Sequence, residues 1–115
     1  MNVSSGLGFA PLARVPIYCA TKAALHSFCL TLRHQLQDTN IKVFELIPPI
    51  VDTELNSEGR KKINFTADIK PADFAAAMVE GIKNDKFEIG YGTAEGMRMA
   101  SREELDKRFQ MMNRR

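Results

Sequence analysis

The sequence predicts an α/β fold, in which short apolar strands alternate with helices along the chain. Strand-like runs of apolar and β-branched residues occupy residues 1–3, 41–47 and 87–89. Between them, residues 16–38 and 71–83 carry apolar side chains at the spacing of helices. Strands and helices in this alternation are typical of a parallel sheet covered by helices. The 115 residues have room for one domain.

The first helix is predicted from Pro16 to about Asp38. Proline suits the first turn of a helix, because the N–H that it lacks would have no partner there. Apolar side chains then recur every three or four residues, and we expect them to pack into the core. The stripe consists of Ala24, Leu25, Phe28, Leu32 and Leu36.

The run 41–47 is short and rich in β-branched and aromatic residues, which predicts a strand. Nearly continuous apolarity is typical of a parallel strand covered on both faces, although Lys42 and Glu45 interrupt it. The pair Pro48-Pro49 ends the run. The segment 54–69 is polar and has no clear period, so it is predicted to be a loop.

Two further helices are predicted near the C-terminus. One begins at Pro71. In the other, Ser101 and Glu104 have the spacing of a capping box. Leu105, Phe109 and Met112 follow it at helical spacing. This narrow stripe favours packing on the parent domain or a neighbouring subunit over a membrane surface. The tail 101–115 is therefore an atypical C-terminal helix.

Three residues of the N-terminal region form a candidate catalytic group. Tyr18 and Lys22 lie four apart and project from one face of the first helix. An ammonium group near a phenol favours the phenolate, which makes tyrosine a usable general acid or base. Ser5 can donate and accept hydrogen bonds, so it could hold a carbonyl or alcohol oxygen beside the phenol. A tyrosine and a lysine four residues apart occur often by chance, and such a pair then indicates only a solvated helix face.

The surroundings of these residues make the pattern specific. The runs Asn2-Val3-Ser4-Ser5-Gly6-Leu7-Gly8, Val15-Pro16-Ile17-Tyr18-Cys19-Ala20-Thr21-Lys22-Ala23-Ala24-Leu25 and Ile41-Lys42-Val43-Phe44-Glu45-Leu46-Ile47-Pro48-Pro49-Ile50-Val51-Asp52-Thr53 closely resemble the classical short-chain dehydrogenase/reductase family. The resemblance covers about residues 1–90 and implies the C-terminal, catalytic half of a doubly wound, Rossmann-like parallel sheet. Two or three strands and their flanking helices are expected here, as one domain over residues 1–115.

The resemblance also implies roles for individual residues. Ser5 would orient the substrate, and Tyr18 would be the acid/base and would also contact the cofactor. Lys22 would assist Tyr18 and bind the nicotinamide ribose. The positions that would contact the nicotinamide are Pro48, Ile50 and Thr53. Where the family has Pro-Gly, this chain has Pro48-Pro49. Proline has no N–H, so any contact through the amide of Pro49 is lost.

The implied cofactor is NAD or NADP, yet the sequence has no turn of the form T-G-x-x-x-G-x-G. That turn would bind the phosphates of a dinucleotide. We therefore expect the isolated 115 residues to be inactive, with the nucleotide-binding half missing. The alternative is a non-catalytic module for assembly or dimerisation, whose active-site residues are relics.

Composition adds a few exclusions. A net charge of +2, without a long basic cluster, makes nucleic acid an unexpected partner. No apolar run is long enough to span a bilayer, and a cytoplasmic protein is predicted. The expected partners are a small carbonyl or alcohol substrate and either a second copy of the chain or the missing N-terminal half.

The cysteine and histidine residues suggest no site of their own. Cys19 and Cys29 are ten residues apart on one helix, too far for a mutual disulfide, and fit a reducing compartment. Cys19 is interpreted as a small apolar filler. His26 and His34 have no Cys or carboxylate at ligand spacing, so they are interpreted as polar helix positions and no metal site is predicted.

Overall fold

The computed structural model describes residues 1–49 and 70–114. The elements are β1 (Asn2–Val3), a 3₁₀ turn (Gly6–Gly8), α1 (Pro16–Gln35), β2 (Glu45–Ile47), α2 (Pro71–Lys83), β3 (Glu88–Gly90), α3 (Thr93–Met99) and α4 (Arg102–Met112). The segment 54–69, predicted to be a loop, lies outside the described residues.

The three strands form one parallel sheet in the order β1-β2-β3. Asn2 of β1 is opposite Glu45 of β2, and Glu45 is opposite Glu88 of β3. One position further along, Leu46 is opposite Ile89. The predicted α/β architecture, a partial Rossmann-like parallel sheet with flanking helices, is confirmed.

The two faces of the sheet have different chemistry. Side chains alternate along a strand, so Leu46 and Ile89 share one face, where they form a buried cluster with Met78 of α2. Phe44, Phe74, Ile82 and Tyr91 pack around this cluster. Glu45 and Glu88 share the other face, which α1 covers. One face is therefore an apolar core, whereas the other carries carboxylates beneath a helix.

The first helix ends earlier, and the following strand begins later, than the sequence predicted. α1 ends at Gln35, and the chain then turns through bonds from Gln37 N–H to His34 O and from Thr39 N–H to Leu36 O. β2 begins only at Glu45. Ile41 is 61% exposed, so the apolar run that predicted a strand is partly a surface connection.

The buried face of α1 differs from the predicted apolar stripe. Phe28 is 54% exposed and Ala24 is exposed, whereas Cys19 and Cys29 are buried. Helical period alone cannot choose between two partly apolar faces, and contact with the sheet selects the smaller side chains. Cys19 fills space as predicted, with its sulfur 3.3 Å from the Leu12 N atom.

The C-terminal region contains one helix that the sequence pattern did not predict. α3 follows β3 directly, and its seven residues are too few to display a period. The capping prediction for α4 is confirmed, because the Ser101 hydroxyl accepts a hydrogen bond from the Glu104 N–H. Within residues 1–49 and 70–114, no helix is long and apolar enough to cross a membrane.

Candidate active site

Ser5 lies at the end of β1, where the chain leaves the sheet. Its hydroxyl oxygen accepts a hydrogen bond of 3.1 Å from the Leu7 N–H and thereby caps the 3₁₀ turn. The residue is 7% exposed. No acceptor for its hydroxyl hydrogen lies among the described residues, so the group can still donate to a ligand.

Tyr18 and Lys22 lie one turn apart near the start of α1. The Lys22 Nζ atom is 5.5 Å from the centroid of the Tyr18 ring. It donates a hydrogen bond of 3.0 Å to the Val3 carbonyl oxygen, two residues before Ser5. The Tyr18 side chain is 47% exposed, so its phenol is open to a ligand. The hydrogen bond from Lys22 to Val3 connects α1, which carries Tyr18, to the strand that leads into Ser5.

The loop after Ser5 lies directly against α1. A Cβ atom on Gly8 would be 3.1 Å from both the Lys22 carbonyl carbon and the Ala23 nitrogen. These are backbone atoms of a helix, which yield less easily than the end of a flexible side chain, so glycine suits this close approach. The glycine therefore serves packing, and the 3₁₀ turn is fixed at the level of Lys22.

The C-terminal helices hold the same loop from another side. Asn113 donates a hydrogen bond of 3.0 Å to the Pro11 carbonyl oxygen and accepts one of 2.6 Å from the Ala13 N–H. A cavity of about 350 Å³ lies between the loop and α4. It is lined by Phe9, Pro11, Arg102, Leu105, Asp106 and Phe109.

The structure brings together part of the predicted cofactor-binding set. Pro48 follows β2, and its carbonyl oxygen accepts a hydrogen bond of 3.1 Å from the Gly6 N–H, so it lies beside the Ser5 turn. Ile50 and Thr53 lie outside the described residues. Ser5, Tyr18, Lys22 and Pro48 thus belong to contiguous elements, connected through Val3, Gly6 and Gly8.

A buried polar group behind Ser5 was missed by the sequence analysis. Ser4 donates a hydrogen bond of 2.6 Å to Glu45, whose side chain is fully buried. His26 Nδ1 lies 2.8 Å and 3.0 Å from the two Glu45 oxygens and 3.8 Å from Glu88. The interpretation of His26 as a polar helix position did not include these carboxylate partners.

These partners of His26 were not predicted because the carboxylates come from β2 and β3, not from the helix of His26. Spacing along one helix cannot reveal partners that lie on strands. One signal was available in the sequence: Glu45 is an acidic residue within an otherwise apolar strand, and buried carboxylates need partners.

Arg98 of α3 extends this polar group. Its Nη1 atom is 3.5 Å from Glu88, and its Nη2 atom is 2.6 Å from Glu95. The hydrogen bond from Arg98 holds the pKa of Glu95 below its ordinary value, although burial opposes the shift. Burial, together with the nearby Glu45 charge, raises the pKa of the Cys29 thiol.

The residues present fit one end of a nicotinamide dinucleotide. Lys22 can donate to ribose hydroxyls, and Tyr18 is open to a ligand beside it. For the diphosphate, the sequence offers no glycine-rich turn that opens a helix after a strand. Gly6 and Gly8, the glycines nearest the site, contact Met97 and α1 instead.

Comparison with known proteins identifies similar chains. A family model described as short chain dehydrogenase matches residues 1–64, which is more than half of the chain. The uncharacterized oxidoreductase DltE of Bacillus subtilis (strain 168) is 49% identical over 114 residues, which cover 98% of this chain and 45% of the relative. The uncharacterized oxidoreductase SA2266 of Staphylococcus aureus (strain N315) is 33% identical over 90 residues, covering 75% and 36%, respectively.

The chain thus spans less than half the length of these curated relatives. No solved structure matches it with statistical significance.

Proposed function

Because this chain belongs to the short-chain dehydrogenase family, we propose that it carries the catalytic half of an NAD(P)-dependent oxidoreductase that interconverts a carbonyl and an alcohol. The observation that carries the proposal is the contact of Lys22 with both Tyr18 and the backbone next to Ser5. The substrate is a small molecule, and a cytoplasmic location fits the two free thiols.

In the direction of reduction, Tyr18 is the general acid. Its hydroxyl donates a proton to the substrate oxygen, and Ser5 donates a hydrogen bond to the same oxygen and orients it. The Lys22 Nζ atom lies 5.5 Å from the centre of the phenol ring, and its positive charge is opposite in sign to the charge that develops on the oxygen. In oxidation the phenolate accepts the proton. The nicotinamide, when bound, supplies or accepts the hydride, since no side chain does so.

Lys22 and Pro48 are the described residues proposed to contact the ribose and the nicotinamide, with Ile50 and Thr53 completing the set. The 115 residues alone are proposed to be inactive, because they include no turn for the diphosphate. The expected arrangement is a C-terminal half that works with a nucleotide-binding half, in a longer chain or a complex.

Two measurements test this proposal. The 115-residue chain is titrated with NADH and NADPH, and no saturable binding is expected. The chain is then fused behind the nucleotide-binding half of a full-length family member and assayed with a panel of ketones, aldehydes and alcohols. Turnover is expected, and Tyr18→Phe should reduce it about 100-fold or more, the typical contribution of general acid–base catalysis.

Matched control substitutions are available for Tyr18 and Lys22. Tyr91→Phe removes the chain's other phenol hydroxyl, and Lys83→Ala removes an exposed lysine elsewhere. Both should retain turnover, whereas Lys22→Ala should lose it. If Tyr18→Phe behaves like Tyr91→Phe in an active fusion, Tyr18 is not the general acid. A fusion that folds and binds NADH but shows no turnover would favour the assembly-module hypothesis. Saturable binding of NADH to the 115-residue chain would contradict the need for a phosphate turn.

A further inference from the structure

The carboxylates of Glu45 and Glu88 are neighbours on adjacent strands of the sheet. They are directly opposite in register and face the same helix. Two like charges in this position repel each other, and the repulsion is strongest where water is excluded. Glu45 is fully buried, so a cationic partner must compensate its charge.

His26 of α1 lies above both carboxylates. Its Nδ1 atom is 2.8 Å from Glu45 Oε1 and 3.8 Å from Glu88 Oε1, and the three ligand atoms lie within 4.8 Å of one another. Around a tetrahedral Zn²⁺ with bonds of about 2.0 Å, ligand atoms are separated by roughly 3.3 Å. The two distances from His26 fall on either side of that value, and all three atoms lie within 4.8 Å of one another, so the side chains would have to rearrange locally to bind the ion.

The second oxygen of each carboxylate is already held by another donor. Ser4 donates to Glu45 Oε2 at 2.6 Å, and Arg98 Nη1 lies 3.5 Å from Glu88 Oε2. Oε1 of Glu45 and Oε1 of Glu88 lie 2.8 Å and 3.8 Å from His26 Nδ1, and Glu45 Oε2 is also 3.0 Å from this nitrogen. Outer hydrogen bonds of this kind orient carboxylates and histidines in metal sites. The arrangement thus leaves one oxygen of each carboxylate directed at a common point.

The charges in this region also favour a divalent ion. Glu45, Glu88 and Glu95 contribute three negative charges, and Arg98 contributes one positive charge. With a neutral imidazole the described group carries a net charge of −2, which a divalent cation would neutralise. His26 and Glu88 are each about one quarter exposed, so an ion can enter and retain a water ligand.

We propose that His26, Glu45 and Glu88 form a binding site for a divalent transition-metal ion of the Zn²⁺ type. Imidazole nitrogen and carboxylate oxygen suit zinc, and three protein ligands with an open position form a common zinc arrangement. The ion crosslinks α1 to β2 and β3 behind the Ser5 turn. The competing arrangement has no metal, and a protonated His26 alone compensates the carboxylates.

The test uses the 115-residue chain after dialysis against a chelator. Titration with Zn²⁺ is followed by calorimetry and thermal unfolding, and one saturating equivalent with a raised midpoint is expected. His26→Gln and Glu88→Gln should weaken binding about 100-fold, and Ser4→Ala about 10-fold through the outer hydrogen bond. His34→Gln removes an exposed histidine from the same helix and should leave binding unchanged.

Co²⁺ spectroscopy decides the question if a ligand variant fails to fold. A tetrahedral Co²⁺ spectrum without a thiolate charge-transfer band is expected, together with paramagnetic shifts of His26 and not of His34. No binding by the wild-type chain would overturn the proposal and leave the protonated His26 arrangement. A thiolate band would also overturn it, because the ion would then be bound by Cys19 or Cys29.

Discussion

The Lys22 ammonium donates a 3.0 Å hydrogen bond to the Val3 carbonyl oxygen, and this contact joins α1, which carries Tyr18, to the strand that leads into Ser5. Lys22 and Val3 are 19 positions apart in the chain. The relative position of α1 and β1 decides whether Ser5 and Tyr18 can act on the same substrate oxygen. Lys22 therefore has a structural role that is independent of any cofactor.

Replacing Lys22 with methionine tests that structural role in the chain alone. Lys22→Met keeps most of the apolar stem and removes the donor, so we expect a loss of about 1 kcal/mol in unfolding free energy by urea denaturation. Lys83→Met on α2 should change stability by less than about 0.5 kcal/mol. Equal effects of the two substitutions would show that the Val3 contact contributes nothing.

Alanine substitutions at Gly8 and Gly96 should change the stability of the protein in opposite directions. Gly8→Ala would place a Cβ atom 3.1 Å from the α1 backbone and should destabilise the protein by about 1–3 kcal/mol. Gly96→Ala, within α3, meets no atom within 4 Å and should stabilise by about 0.5–1 kcal/mol. Thermal and urea unfolding measure both. A tolerated alanine at Gly8 would contradict the close approach of the loop to α1.

The lowered pKa of Glu95 predicts a pH dependence of stability. The folded state favours the ionised carboxylate, because Arg98 donates hydrogen bonds to it. This stabilisation is present above the ordinary value of 4.5 and is lost as the pH falls through the lowered folded-state pKa. Glu95→Gln should therefore destabilise the protein at neutral pH and much less in strong acid.

Urea denaturation across this pH range, with a chelator present, measures the Glu95 effect. Glu103→Gln is the control, because its carboxylate is 80% exposed and lies 3.5 Å from Lys107 on the surface of α4. That variant should follow the wild-type pH profile. A Glu95→Gln deficit that is constant with pH would argue for lost packing in place of lost charge.

Buried thiols predict low reactivity. Burial first, and then the Glu45 charge, raise the pKa of Cys29, so this fully buried thiol stays protonated at neutral pH. The thiolate is the reactive form. An aromatic disulfide reagent should label Cys29 at least about 100-fold more slowly in the folded protein than in urea, where both thiols react. Peptide mapping distinguishes Cys29 from Cys19, and rapid native labelling of Cys29 would contradict its burial.

Asn113 is predicted to hold the loop that follows Ser5. Asn113→Ala removes the bonds to the Pro11 carbonyl and the Ala13 N–H and should cost about 1–2 kcal/mol. Hydrogen exchange at the Ala13 amide should accelerate, because that N–H loses its acceptor. Asn40→Ala, at an exposed position between α1 and β2, is the control and should change neither quantity. Unchanged exchange at Ala13 in Asn113→Ala would show that the loop is held by other contacts.

Local signals predicted much of the fold. Pro16, Pro71 and the Ser101 cap determine where three helices begin, because the missing N–H of proline and the serine hydroxyl act within one helical turn. The common helix face of Tyr18 and Lys22 was also predicted from their spacing, since side chains four residues apart lie on one face of a helix. The start of β2 was not predicted, because an apolar run does not reveal which of its residues find a ladder partner.

The sequence by itself determined the helix starts, the alternation of strands and helices, and the choice of Ser5, Tyr18 and Lys22 as candidate catalytic residues. Only the tertiary structure decided that Lys22 donates to Val3, that Gly8 contacts the α1 backbone, and that His26 joins Glu45 and Glu88. The physical reason is the distance along the chain over which each kind of interaction acts. Periodicity and caps act over a few residues, whereas the packing of α1 on the parallel sheet brings together side chains that are 19 to 62 positions apart in the chain.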